Sequence, residues 1–97
     1  MEGDRKPVIA VIGAGKCSKK LRDMAAVIGR YVAEHNGVIV CGGMGGVMEG
    51  AARGAKEAGG VTIGILPTQD KSDANKFIDY VIPTGFGEAR NIMVIRT

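Results

Sequence analysis

Val8-Ile9-Ala10-Val11-Ile12 is an unbroken apolar run, rich in β-branched residues and bounded by Pro7 and Gly13. Such a run predicts a strand covered on both faces, because a half-buried strand would alternate apolar and polar positions. Beyond Ser18 the period changes. Leu21, Met24, Ala25, Ile28 and Val32 stand at i, i+3, i+4, i+7 and i+11, one apolar stripe of a helix, with Lys20, Arg22, Asp23, Arg30 and Glu34 on the other face. His35-Asn36-Gly37 ends that helix, with the glycine expected to supply the left-handed cap.

Val38-Ile39-Val40-Cys41 reads as a second buried strand. After the glycines of 42–46, a second helical stripe follows in Val47, Met48, Ala51, Ala52, Ala55 and Ala58, closed by Gly59-Gly60. Its small residues, with Gly54, suit close helix-to-sheet packing. Val61 to Leu66 is a third strand stopped by Pro67, and Thr68 to Asn75 is a polar loop. Tyr80-Val81-Ile82-Pro83 predicts a short fourth strand, and Ala89, Ile92, Met93 and Arg96 the start of a third helix. Strands alternating with helices imply α/β architecture: a Rossmann-like open parallel sheet of about four strands, with right-handed crossovers placing helices on both faces. No internal repeat interrupts this order. The 97 residues allow one domain, 1–97. Because Ile95-Arg96-Thr97 lies inside the last helical pattern, that domain is expected to be incomplete at its C-terminus.

Composition narrows the class. Apolar residues at 45% supply a core, which argues against disorder. No uncharged stretch is long enough to span a bilayer, and the charged start Met1-Glu2-Gly3-Asp4-Arg5-Lys6 is unlike a secretory signal, so a cytoplasmic location without a membrane partner is expected. Cys17 and Cys41, the two cysteines, cannot build a disulfide scaffold, and with no histidine at ligand spacing they make a poor zinc site, so no metal is expected. The net charge of +3 is mild, and aromatic residues are 4% without tryptophan. Neither favours a nucleic-acid partner.

The 16 glycines are the outlier. Three segments fall at the carboxyl ends of predicted strands, where open parallel sheets bind ligands. They are Gly13-Ala14-Gly15-Lys16-Cys17-Ser18, Gly42 to Gly46, and Thr84-Gly85-Phe86-Gly87-Glu88-Ala89-Arg90. Each leads into a helix, whose first N–H groups and dipole favour an anion, and glycine lets the backbone come close to it. A phosphate-bearing small molecule is the natural ligand; the plainer reading is that the glycines only permit tight turns. The dinucleotide fingerprint fails, since Ser18 stands at its third glycine and no acid ends the second strand. A Walker A loop is absent. The candidate phosphate-binding residues are Gly13, Gly15, Lys16, Ser18, Gly42, Gly43, Gly45, Gly46, Thr84, Gly85 and Arg90. Lys16 neutralises a phosphate or merely solubilises its loop. Glu49, in a first helical turn, fits the dipole better than it fits catalysis. Cys17 and Cys41 read as small buried thiols. His35 receives no role.

Cys41-Gly42-Gly43-Met44-Gly45-Gly46-Val47-Met48-Glu49 resembles G-G-G-x-x-G-L-M-G, the first signature of the LOG family. Gly42, Gly43, Gly46 and Met48 match, while Cys41 and Glu49 depart from glycine. LOG proteins are phosphoribohydrolases once labelled lysine decarboxylases, with a Rossmann-like fold shared with DprA. Together with Val11 to Ser18 and Thr84 to Asn91, the string is more similar to the molybdenum-cofactor-carrier-like branch, over Lys6 to Thr97. The resemblance implies a nucleotide or a pterin-type molybdenum cofactor as bound ligand, and a homo-oligomer. It carries the LOG arginine onto Arg90, catalytic only if the protein is an enzyme, with Asn91 in place of lysine. The P-G-G-x-G-T-x-x-E segment that supplies a catalytic glutamate is absent from these residues, and N-glycosidic cleavage needs a carboxylate. Binding is therefore the leading expectation. Nucleoside-monophosphate phosphoribohydrolysis, completed by the missing segment, and DprA-like single-strand DNA binding are the alternatives.

Overall fold

The computed structural model describes residues 7–13, 15–87 and 90–96. Ala14, Glu88 and Ala89, which belong to two of the glycine segments, lie outside the described residues, as do Met1 to Lys6 and Thr97. The elements run β1 (Val8–Val11), α1 (Lys19–Glu34), β2 (Val38–Cys41), α2 (Val47–Glu57), β3 (Val61–Leu66), a 3-10 turn at Lys71–Asp73, β4 (Tyr80–Pro83) and α3 (Arg90–Arg96). All four strands are parallel, in the order β1-β2-β3-β4.

Strand alternation sorts the core onto the two faces of the sheet. Ile39 and Cys41 of β2 pack with Met48 and Ala55 of α2, while the intervening Val40 packs with Ile65 of β3 and Val94 of α3. Helices thus cover both faces. Ile39, Val40 and Leu66 are fully buried, each contributing about 2 kcal/mol of hydrophobic stabilisation. Thr62, a polar residue equally buried, donates from Oγ1 to Phe77 O at 2.6 Å and accepts from Asp79 N at 2.9 Å.

Three sequence expectations are corrected. β1 is not covered on both faces: it pairs only with β2 among the described strands, and Val8 and Ile9 are 43% and 40% exposed. The helix stripe of α1 is also displaced. Of the expected stripe, Ala25 is buried and Val32 packs against the core, but Leu21, Met24 and Ile28 are exposed, and the other buried residues are Ala26 and Gly29. The reason is a seam of small residues between α1 and α2. A Cβ at Gly29 would overlap the Ala51 carbonyl, and one at Gly54 the Ala26 carbonyl, so the backbones touch where larger side chains would hold them apart. Finally, the left-handed residue after α1 is Asn36 (φ 62°), not Gly37. Gly37 is needed for a different reason: its N–H donates to Val32 O at 2.8 Å, and a Cβ there would lie 2.5 Å from Val32 Cγ1.

Candidate functional site

The loop between β2 and α2 starts from a buried thiol. Cys41 Sγ accepts the Gly43 N–H at 3.4 Å. Burial pushes this thiol up, against the opposing pull of that N–H and of the Arg90 charge. Gly43 (φ 79°) and Gly46 (φ 67°) adopt left-handed backbone that L side chains avoid. Gly46 is the N-cap of α2 without a side-chain capping bond, so the helix presents its dipole end at the loop.

The loop's carbonyls are held from outside. Arg90, only 9% exposed, donates from Nη1 to Gly42 O at 2.7 Å and to Ile65 O at 2.8 Å, tying the loop to the end of β3. A Cβ on Gly42 would overlap this Nη1 and come 2.5 Å from Met48 Sδ, so the arginine fits only over glycine. Asn75, in the connection between β3 and β4, donates from its backbone to Gly43 O at 2.8 Å and from Nδ2 to Met44 O at 2.6 Å and Gly43 O at 3.3 Å. The same side chain accepts Phe77 N at 3.0 Å through Oδ1. That connection is anchored in turn by Asp79, which accepts Thr62 N at 3.0 Å and pairs with Lys56 at 2.9 Å.

A cavity of about 330 Å³ opens between this loop and the one after β1. Gly13 and Gly15 line one side with Val11 and Ile12; Gly42, Met44, Gly45 and Met48 line the other, and Arg90 and Asn91 of α3 lie between. Its walls are thus partly apolar and partly backbone, with one permanent cation. β4 lies at the far edge of the described sheet from β1, and Arg90 reaches the cleft by way of Gly42 after β2 and Ile65 of β3.

The expected site residues divide into three groups. Gly13, Gly15, Gly42, Gly45 and Arg90 meet at the cavity. Gly43 and Gly46 shape the loop without lining it: a Cβ on Gly43 would run toward Leu66 Cδ2 at 2.8 Å, away from the cleft. Lys16, Ser18, Thr84 and Gly85 stay outside the lining. Ser18 caps α1 by accepting Leu21 N at 3.1 Å, and Thr84 Oγ1 donates to Leu66 O at 2.7 Å. Gly85 donates to Thr68 O at 3.0 Å, so the start of the third glycine segment closes onto the residues after β3, and among its described residues Arg90, at the start of α3, lines the cavity. Arg90, a candidate phosphate-binding residue, donates from Nη1 to two backbone carbonyls. Cys17 and Cys41 are both free thiols, Cys17 half-buried. Asn75 escaped the sequence reading: an asparagine in a polar loop signals a local turn, not partners more than thirty residues away. Among the described residues no cluster of His, Cys, Asp or Glu could hold a metal ion, and no helix is long and apolar enough to cross a membrane.

Comparison with known proteins extends these observations. A protein of Archaeoglobus fulgidus is 43% identical over 89 residues, covering 92% of this chain and 58% of that protein. The molybdenum cofactor binding protein of Rippkaea orientalis superposes with a TM-score of 0.91 at 38% identity, over 96% of this chain and 58% of its own. The Moco carrier protein of Chlamydomonas rheinhardtii superposes with a TM-score of 0.77 at 40% identity, over 93% and 57%. This chain therefore spans a little under three fifths of the length of these relatives. The profile of the SLOG cluster4 family matches residues 6–97, and with that coverage the chain belongs to the SLOG cluster4 family.

Proposed function

We propose that the protein binds a phosphorylated small molecule of the molybdenum-cofactor pterin class, with a nucleotide as the nearest alternative, in the cavity at the carboxyl end of the sheet. One observation carries the reading: two glycine loops face each other across about 330 Å³, with the α2 N-terminus on one side and a buried arginine beneath. That volume is at the small end of ordinary ligand sites. The glycines allow phosphate oxygens to reach main-chain N–H groups, and the helix dipole and Arg90 supply positive potential. Val11, Ile12, Met44 and Met48 give an apolar wall for a flat heterocycle. The carrier and cofactor-binding relatives named above support the same ligand class.

Gly45→Ala tests this cavity. Its Cβ would lie 3.2 Å from Gly15 O, narrowing the gap between the loops without entering left-handed backbone. Calorimetric titration with molybdopterin and with AMP should show at least tenfold weaker binding at unchanged melting temperature, an effect of about 1.4 kcal/mol. Equal affinity in the variant would place the ligand elsewhere. Release of adenine from AMP by the wild-type protein would instead favour the hydrolase reading.

A further inference from the structure

We infer that Asn75 is the positioning residue of the glycine loop: it turns the Met44 and Gly45 peptide groups so that their N–H bonds face the cavity. The inference rests on the phosphate-binding reading above and goes beyond it by assigning what sets the loop's polarity. Four glycines and a methionine make up this strand-to-helix loop, and glycine by itself fixes no peptide orientation. Something must choose between presenting N–H or C=O to the cleft.

The choice is made from behind. Gly43 O and Met44 O both accept from Asn75, the second at 2.6 Å. The peptide bonds are trans, so each carbonyl points opposite to the N–H of the following residue. With these two carbonyls turned toward Asn75, the N–H groups of Met44 and Gly45 turn away from it. Met44 and Gly45 line the cavity and Asn75 does not. The preceding peptide is fixed separately, its carbonyl by Arg90 and its N–H by Cys41 Sγ. Asn75 suits the task chemically. Its amide offers donors to the carbonyls while Oδ1 accepts Phe77 N, which holds the side chain in one orientation. An aspartate could keep the Phe77 bond but, when ionised, would set negative charge against both carbonyls.

The test compares Asn75→Ala and Asn75→Asp with wild type, by calorimetry with AMP and with inorganic phosphate at pH 8 and pH 5.5, alongside thermal melts. Asn75→Ala should bind about tenfold more weakly at both pH values. Asn75→Asp should be at least as weak at pH 8. It should recover toward wild type at pH 5.5, because crowding by two carbonyls raises the carboxyl pKa and the protonated acid regains a donor. A merely structural role would give no such recovery. Wild-type affinity in Asn75→Ala with the fold intact overturns the inference, as does an Asn75→Asp loss that is the same at both pH values. If Asn75→Ala does not fold, the pH dependence of Asn75→Asp decides. If the wild-type protein binds neither probe, the phosphate-binding reading fails separately, and amide hydrogen exchange judges the positioning. Slower exchange at Met44 and Gly45 in Asn75→Ala, as those N–H groups turn out of the open cavity, supports it, and unchanged exchange overturns it.

Discussion

The loops after β1 and β2 look alike in sequence and are built on opposite plans. Both follow a buried-looking apolar run, both are glycine-rich, and both open a helix. The first is held chiefly at its end, where Ser18 caps α1, and at Gly13, whose missing Cβ makes room for Val47 at the start of α2. The second is braced at three successive carbonyls by Arg90 and Asn75, side chains 48 and 31 residues away from their partners. Among the described residues, then, it is the second loop whose peptide directions are imposed by distant donors.

The strongest way to break this contrast is Gly42→Ala. A single methyl must displace Arg90 or Met48, and displacing the buried guanidinium takes its Nη1 donor away from Gly42 O and Ile65 O. A loss of about 3 kcal/mol is expected in denaturant unfolding, with ligand binding abolished. Arg90→Met keeps the volume and removes the donors, so about 2 kcal/mol should be lost, and Arg90→Lys should recover part of it. Stability in Arg90→Met equal to wild type would show that the brace is not needed.

Asp79 sharpens the comparison from further away, since it anchors the connection that carries Asn75. Burial raises its carboxyl, but the bonds from Lys56 and from Thr62 outweigh that and hold it below the usual carboxylate value. A depressed pKa stabilises above the unfolded value of about 3.9, and the contribution is lost as pH falls through the folded value. Asp79→Ala should cost about 1 kcal/mol at pH 7 and converge with wild type below about pH 4, in melts across a pH series. The smallest effect belongs to the first loop. Nothing lies within 4 Å of a Cβ on Gly15, and its φ is not left-handed. Gly15→Ala should change stability by less than about 0.5 kcal/mol, leaving calorimetry to report only what that cavity wall does for the ligand.

The strands and helices were legible because hydrophobic period reports directly on backbone geometry. β2, α2 and β3 fall where Val38, Val47 and Val61 begin their patterns. Hydropathy was misleading where the packing partner is small. Leu21, Met24 and Ile28 are the larger apolar members of the α1 stripe, yet it is Ala25 of that stripe, with Ala26 and Gly29 beside it, that is buried, because a glycine seam brings backbones together at no hydrophobic signal. β1 illustrates the converse, a run suited to full cover that stands at the edge of the described sheet. At the candidate site, the glycine segments had pointed to Gly13, Gly15, Gly42 and Gly45, and the family resemblance to Arg90, all of which line the cavity. The contacts of Arg90 with Gly42 O and Ile65 O, and all of Asn75, depend on chain segments that meet only in three dimensions.

The glycine seam between α1 and α2 has a consequence for ligand choice. Each helix begins where one of the two loops ends, at Ser18 and at Gly46. Main chain rests on main chain at Gly29 and Gly54, so there are no rotamers whose rearrangement would let the helices slide. The two loops are thus mounted on one stiff frame and keep a fixed aperture. If the cavity binds its ligand as proposed, such an opening works as a gauge: it admits a head group by size, without waiting for closure, and gains no selectivity from wrapping around what it holds.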